Sequence, residues 1–338
     1  MLQQKIAPEI VPLIRTRYQI LHTIRLLQPI GRRVLAEQLH FQERMIRNEI
    51  DVLRSRQLVH CSSDGMTVTP EGEDLLAEMA DYIRDIQGLG VLEQTLAQQW
   101  GIRKVIVVPG DSDQDESVKK DLARVTAEFL CRHLEDGAIL AVAGGTTLAE
   151  VGSVLVEPRR HRNITVIPAQ GGLGEEVEIQ ANTVAANIAK ELGANYRLLH
   201  VPDDLQAKTI QTIASEPKIK ELLALLRQAD MFLHGIGAAE EMARRRGIPA
   251  AKVDRILEQG AVGEAFGYYF DDNGSVVHST SSLGLQLDEL ALIKEVAAVA
   301  GGKSKAAAVR AVLRNGSRDV LIIDEGAARE MGPPATAT

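Results

Sequence analysis

The chain has 338 residues, which favours two domains over one. Its 45% hydrophobic and 25% charged content excludes a disordered, collagen-like or disulfide-stapled polymer. Its two cysteines, Cys61 and Cys131, stand far apart with no CxxC pair and no histidine cluster, so neither a disulfide framework nor a metal site is legible. The net charge of -8 is unevenly spread: residues 1–60 carry +5, so the remainder carries -13. Electrostatics act through such local patches, and a basic head before an acidic body keeps nucleic-acid binding open. With no signal peptide and no run of 18 uncharged apolar residues, the expectation is a cytoplasmic protein without a membrane partner.

From Pro12 to Leu27 apolar residues recur near helical spacing until Pro29 and Gly31 stop them. Two further helices are predicted over 32–39 and 42–56, the second with Ile46, Ile50 and Leu53 on one face and Arg44, Arg47, Asn48 and Asp51 on the other. Two helices joined by a tight turn read as helix-turn-helix. Residues 58–69, with Asp64-Gly65 between two β-prone runs, add a hairpin, completing the order of a winged helix-turn-helix. Helical patterns over 71–87 and 92–100 flank Gly88. The division is therefore a winged helix-turn-helix head with linker helix at 1–88 and a body at 89–338.

In the body, apolar runs at 105–109, 138–144, 164–169, 196–202, 231–237, 296–302 and 319–324 alternate with helical stretches. This pattern predicts a Rossmann-like α/β fold around a mainly parallel sheet. Residues 264–279, turning at Asn273-Gly274, read as an inserted hairpin near the sheet edge, and the tail from 332 reads as frayed.

The head's arginines suit both a phosphate and a guanine edge, because the guanidinium fork can take either bidentately. Arg32, Arg33, Gln42, Arg44, Arg47 and Asn48 are the candidates for DNA, against the alternative of a solvated polar face. In the body, Gly144, Gly145, Thr146 and Thr147 stand where a strand ends and a helix begins, which favours an anion, although an ordinary threonine cap has the same pattern. Glycine-rich loops at 169–176 and 234–237 follow two more strands, and ligands of open α/β sheets collect at such ends. Lys303, Lys305 and Arg244, Arg245 and Arg246 can supply charge there, one or two of them facing the pocket. Glu264 can accept from sugar hydroxyls, and the aromatics beside it read as hairpin packing. Asp111 and Asp113 are weak candidates for a general base, and His234 reads as a packed core residue. Dinucleotide, P-loop and α/β-hydrolase signatures are missing. The pocket therefore suits a phosphorylated small molecule.

With these segments in place, the chain resembles the SorC branch of sugar-responsive transcription factors, which is similar to the DeoR family. The pieces that carry the resemblance include PIGRR at 29–33, GDSDQ at 110–114, GGTT at 144–147, GGLGE at 171–175, QANT at 180–183, HGIG at 234–237, EAFGYYF at 264–270 and DEGAA at 324–328. The resemblance implies a repressor of glycolytic, central carbon genes, not an enzyme. Its body looks like sugar-phosphate isomerases of the glucosamine-6-phosphate deaminase and ribose-5-phosphate isomerase type, and fructose-1,6-bisphosphate is the implied inducer. By motif, Thr146 and Thr147 hold one phosphate, Gly171 and Gly172 line the pocket, and Gln180, Arg245, Glu264 and Lys305 contact the sugar or its second phosphate. One position departs: the family has arginine where this chain has Gln170. Losing such a charge-assisted contact costs about 1.5 to 3 kcal/mol, which leaves a neighbouring Lys303 to compensate or a different sugar phosphate as effector. No catalytic residue, cofactor or metal is assigned. A single helix-turn-helix seldom secures an operator, so a homodimer or homotetramer is expected. The runner-up is a phosphosugar isomerase or deaminase with an appended basic domain, using Asp113 or Glu264 as base.

Overall fold

The computed structural model describes residue 7 and residues 9–86, 88–155, 163–172, 176–202, 205–280, 282–316 and 318–332. The chain forms two units, one of residues 1–91 with 115–117, the other of residues 92–114 with 118–338. Leu173, Gly174 and Glu175 of the predicted second glycine-rich loop, Gln87 at the end of the predicted linker helix, and the tail from Pro333 lie outside the described residues.

The first unit is built from α1 (Ile10–Leu27), α2 (Arg32–Gln38), α3 (Glu43–Ser55), a hairpin of β1 (Val59–Cys61) and β2 (Met66–Val68), and α4 (Pro70–Ile86). Ile20, Ile24, Leu35, Ile46, Ile50, Leu53 and Met66 share one core, and burying each such side chain contributes about 1.5 to 3 kcal/mol. Ile30 pairs with Met66 in both directions and so adds a third short strand to the wing. The tip turns at Gly65, whose φ of +139° suits glycine.

After α5 (Leu89–Trp100), which begins in the first unit, the second unit alternates strand and helix: β3 (Lys104–Val108), α6 (Ser117–His133), β4 (Ile139–Val142), α7 (Thr146–Val154), β5 (Thr165–Pro168), α8 (Ala181–Leu192), β6 (Asn195–Tyr196), α9 (Ala207–Ser215), α10 (Pro217–Leu226) and β7 (Met231–Gly235). After an intervening sheet the pattern resumes with β12 (Glu295–Ala300), α13 (Ala306–Arg314), β13 (Val320–Asp324) and α14 (Glu325–Met331). Seven strands form one parallel sheet in the order β3-β13-β12-β7-β4-β5-β6. Its central strands are mostly apolar, with Leu140, Val142, Phe232, Leu233, Ala297 and Ile322 fully buried, as helices on both faces require.

Two expectations need correction. The run 196–202 is not a strand: β6 ends at Tyr196, and beyond it the Asn182 side-chain amide takes both the N–H and the C=O of Leu199, at 2.8 and 3.0 Å, standing in for a ladder partner. The inserted hairpin at 264–279 does form, but in a sheet of its own rather than at the edge of the main one. It joins β8 (Gly237–Ala238), β9 (Ala261–Ala265), β10 (Tyr268–Asp271) and β11 (Val276–Ser279) in a separate antiparallel sheet, with α11 (Ala239–Arg245) and α12 (Ala250–Glu258) between β8 and β9. Apolar contact explains the placement: Tyr269 and Phe270 are fully buried, and β9 lies close against α13.

Candidate functional site

Strands leave β4 in one direction through β5 and β6, and leave β7 in the other through β12 and β13, so the strand order reverses between β4 and β7. Open α/β sheets leave a crevice at such a reversal, outside the carboxyl ends of the strands. The pocket lies there, lined from the ends of β4, β5, β7 and β12 and from the second sheet. It gathers every residue predicted to touch an effector: Thr146, Thr147, Gln170, Gly171, Gly172, Gln180, Arg245, Glu264 and Lys305.

One end is built for an anion. A Cβ on Gly144 would stand 2.5 Å from the Ile179 carbonyl oxygen, and Gly145 has φ +127°, so both places demand glycine. The chain can then start α7 directly under the pocket. Among the described residues no side chain caps α7, so the first-turn amides of Thr146, Thr147 and Leu148, with the two hydroxyls, present donors and the positive end of the helix. Lys305 lines the same crevice and Arg245 joins it, the latter in an i,i+4 pair with Glu241 at 2.9 Å.

Lys303 does not compensate for the neutral residue at 170. It is absent from the pocket wall and pairs with Glu330 at 3.3 Å, because the 3₁₀ turn Lys303–Lys305 sends the two lysines to different sides. Arg244 likewise pairs with Glu240 at 2.8 Å, whereas Arg245 and Arg246 line the pocket.

A second part of the lining is a buried network. Glu264, 3% exposed at its side chain, accepts through Oε1 from Arg246 Nη2 at 3.1 Å and from the Gly267 amide at 2.6 Å. The Gln170 amide accepts from Arg246 Nη2 at 3.2 Å and donates to the Phe266 carbonyl at 2.9 Å. Sequence reasoning missed Arg246 as a member of this network. The signal was the run Arg244-Arg245-Arg246, which marks charge but not which of three consecutive arginines turns inward.

Asp111 and Asp113 are committed to backbone. Asp111 Oδ1 accepts from the Lys303 amide at 3.1 Å, and Asp113 accepts from the Ser304 amide at 2.7 Å and its hydroxyl at 3.0 Å. Beside them Asp324 accepts from the amides of Ser112, Gly302 and Ala327, and burial pushes its carboxyl above the usual range. These carboxylates shape the loop that carries Lys305 and lie outside the pocket wall. His234 is fully buried against Phe232 and Phe266, its Nδ1 on the Gly235 carbonyl oxygen at 2.9 Å. Burial, with the Arg318 guanidinium nearby, holds it well below the usual imidazole range.

In the first unit, Arg44, Arg47 and Asn48 are exposed on the face of α3 opposite Ile46, Ile50 and Leu53. Gln42 precedes that helix, and Arg32 and Arg33 open α2, also exposed. Among the described residues Arg33 and Arg47 make only exposed i,i+4 pairs, with Glu37 and Glu43, which contribute little. Among the described residues no group of three His, Cys, Asp or Glu could hold a metal, and no helix is long and apolar enough to cross a membrane.

Residues 84–331 match the Sugar-bind family, a sugar-binding domain, and residues 13–83 match the CggR N-terminal DNA binding domain. The central glycolytic genes regulator of Priestia megaterium is 45% identical over 330 residues, covering 97% of this chain and 96% of the relative. The protein of the same name from Bacillus subtilis is 41% identical over 329 residues, covering 97% of each. A SorC family transcriptional regulator from Enterococcus faecalis matches with a TM-score of 0.66 and 40% identity, covering 71% of this chain and 98% of that structure. These relatives are transcriptional regulators, not enzymes.

Proposed function

The chain belongs to the central glycolytic genes regulators of the SorC family, and from that premise we propose that it is a repressor of glycolytic genes whose grip on operator DNA is governed by a sugar phosphate. Residues 1–88 bind DNA through Arg32, Arg33, Gln42, Arg44, Arg47 and Asn48, and residues 89–338 bind the effector and assemble a homodimer or homotetramer in the cytoplasm. The effector is fructose-1,6-bisphosphate. One phosphate takes the Thr146 and Thr147 amides and hydroxyls, Gly171 and Gly172 line its approach, and Gln180, Arg245, Glu264 and Lys305 take the sugar and the second phosphate. The observation that carries this reading is the uncapped start of α7 in one crevice with Lys305 and a buried carboxylate, a phosphate receptor beside a hydroxyl acceptor. The neutral amide of Gln170 favours a second reading, in which another sugar phosphate is the effector.

Isothermal titration of the full chain with fructose-1,6-bisphosphate and fructose 6-phosphate tests the proposal. The expected result is saturable binding of the bisphosphate, weakened about tenfold in Thr147→Ala through loss of one charge-assisted hydrogen bond. Binding of fructose 6-phosphate alone supports the second reading, and binding of neither contradicts fructose-1,6-bisphosphate as the effector.

A further inference from the structure

The buried network in the pocket wall joins three segments distant in sequence: Gln170 after β5, Arg246 after α11 and Glu264 in β9. Both partners of the ion pair are nearly closed to solvent, at 9% and 3% side-chain exposure. A buried charge pair is tolerated where its remaining hydrogen-bonding capacity is met. The two bonds that Glu264 makes among the described residues, from Arg246 and Gly267, both fall on Oε1. Its Oε2 is therefore left for whatever enters the pocket that Glu264 lines. A carboxylate oxygen accepts from a hydroxyl and repels a phosphate, so this part of the lining selects the sugar's hydroxyl groups rather than its phosphates.

Gln170 makes this arrangement possible. Its amide oxygen accepts from Arg246 while its amide nitrogen holds the carbonyl of Phe266, a residue with φ +37°. A cation at position 170 could not accept that bond. We propose that Arg246, docked on Gln170, is a positioning residue for effector recognition: it orients Glu264 so that Oε2 reads a hydroxyl of the sugar. Arg246 and Glu264 cancel each other's charge, so the phosphates depend on Lys305, Arg245 and the α7 amides.

This inference rests on the sugar-phosphate reading of the pocket, and titration of the full chain separates the two. The probes are fructose-1,6-bisphosphate, fructose 6-phosphate and inorganic phosphate, applied to the wild type, Arg246→Met, Arg246→Lys and Gln170→Ala. Arg246→Met is expected to weaken the sugar phosphate that the wild type binds by about 10- to 100-fold, the range of one charge-assisted bond. Inorganic phosphate is expected to stay within about twofold, and Arg246→Lys to recover part of the loss. Gln170→Ala leaves the ion pair in place and is expected to weaken the same sugar phosphate about three- to tenfold, again sparing inorganic phosphate; it carries the test if Arg246→Met does not fold. The inference is overturned if these variants keep wild-type sugar-phosphate affinity, or if inorganic phosphate is lost in step with the sugar phosphate, which marks a merely structural role. A wild type that binds neither sugar phosphate overturns the proposed function itself.

Discussion

His234 ties the stability of the second unit to pH through a single buried ring. It has no cationic form to offer in the fold, because burial and Arg318 both disfavour the charge and hold it well below the ordinary value of 6.5. In the unfolded chain the ring protonates freely as the pH drops past that value. The stability it contributes is therefore fully present above about pH 6.5 and is lost as the pH falls from there toward the folded value, by at most ~1.4 kcal/mol per pH unit. The urea midpoint of the wild type is expected to fall between pH 7.5 and 5.5, and that of His234→Phe to fall less. An equally steep fall in the variant removes His234 as the cause. Lys303 and Lys305 show the opposite case, in which two like residues two positions apart divide between an exposed ion pair and the pocket. Their identity was legible in the sequence and their direction was not, because direction depends on a 3₁₀ turn held by Asp111 and Asp113 from another loop.

At the scale of the element, α3 states its role in its own pattern. Ile46, Ile50 and Leu53 are buried at helical spacing, so Arg44, Arg47 and Asn48 must point outward. Arg47→Ala removes a guanidinium from that face without touching the core. It is expected to reduce specific operator affinity at least tenfold in an anisotropy titration, by the ~1 to 3 kcal/mol of a base or phosphate contact. Sugar-phosphate affinity is expected to remain unchanged, and its loss in a folded variant contradicts the assignment. The head helices and wing, the central strands and the glycine-rich turns at 144–145 and 234–237 were legible because each depends on local periodicity or backbone freedom. The short β6 was not, because the Asn182 side chain takes the backbone groups that an apolar run would otherwise give to a neighbour. The hairpin at 264–279 was legible but the second sheet it joins was not, because alternation announces a strand but not which sheet receives it.

Across the whole molecule, the charge of the chain already separates a basic head from an acidic body, and the two functions follow that division. Coupling them is a matter of differential affinity. A sugar phosphate lowers DNA affinity only if it binds the weakly DNA-binding conformation better than the DNA-bound one, and equal affinity for both shifts nothing. A tenfold weakening of the operator complex corresponds to about 1.4 kcal/mol of coupling. The effector must then feel the DNA reciprocally, binding more weakly to the operator complex by the same factor.

The measurement that tests this most directly is fluorescence anisotropy of the full chain on DNA from upstream of its own operon, at fixed salt because phosphate contacts make affinity salt-dependent. It is made with and without fructose-1,6-bisphosphate and fructose 6-phosphate, beside a scrambled duplex. The account predicts preference for the upstream DNA and at least a tenfold loss of that affinity when the sugar phosphate that fills the pocket is added. Equal affinity for the scrambled duplex, or upstream binding that neither sugar phosphate alters, contradicts it.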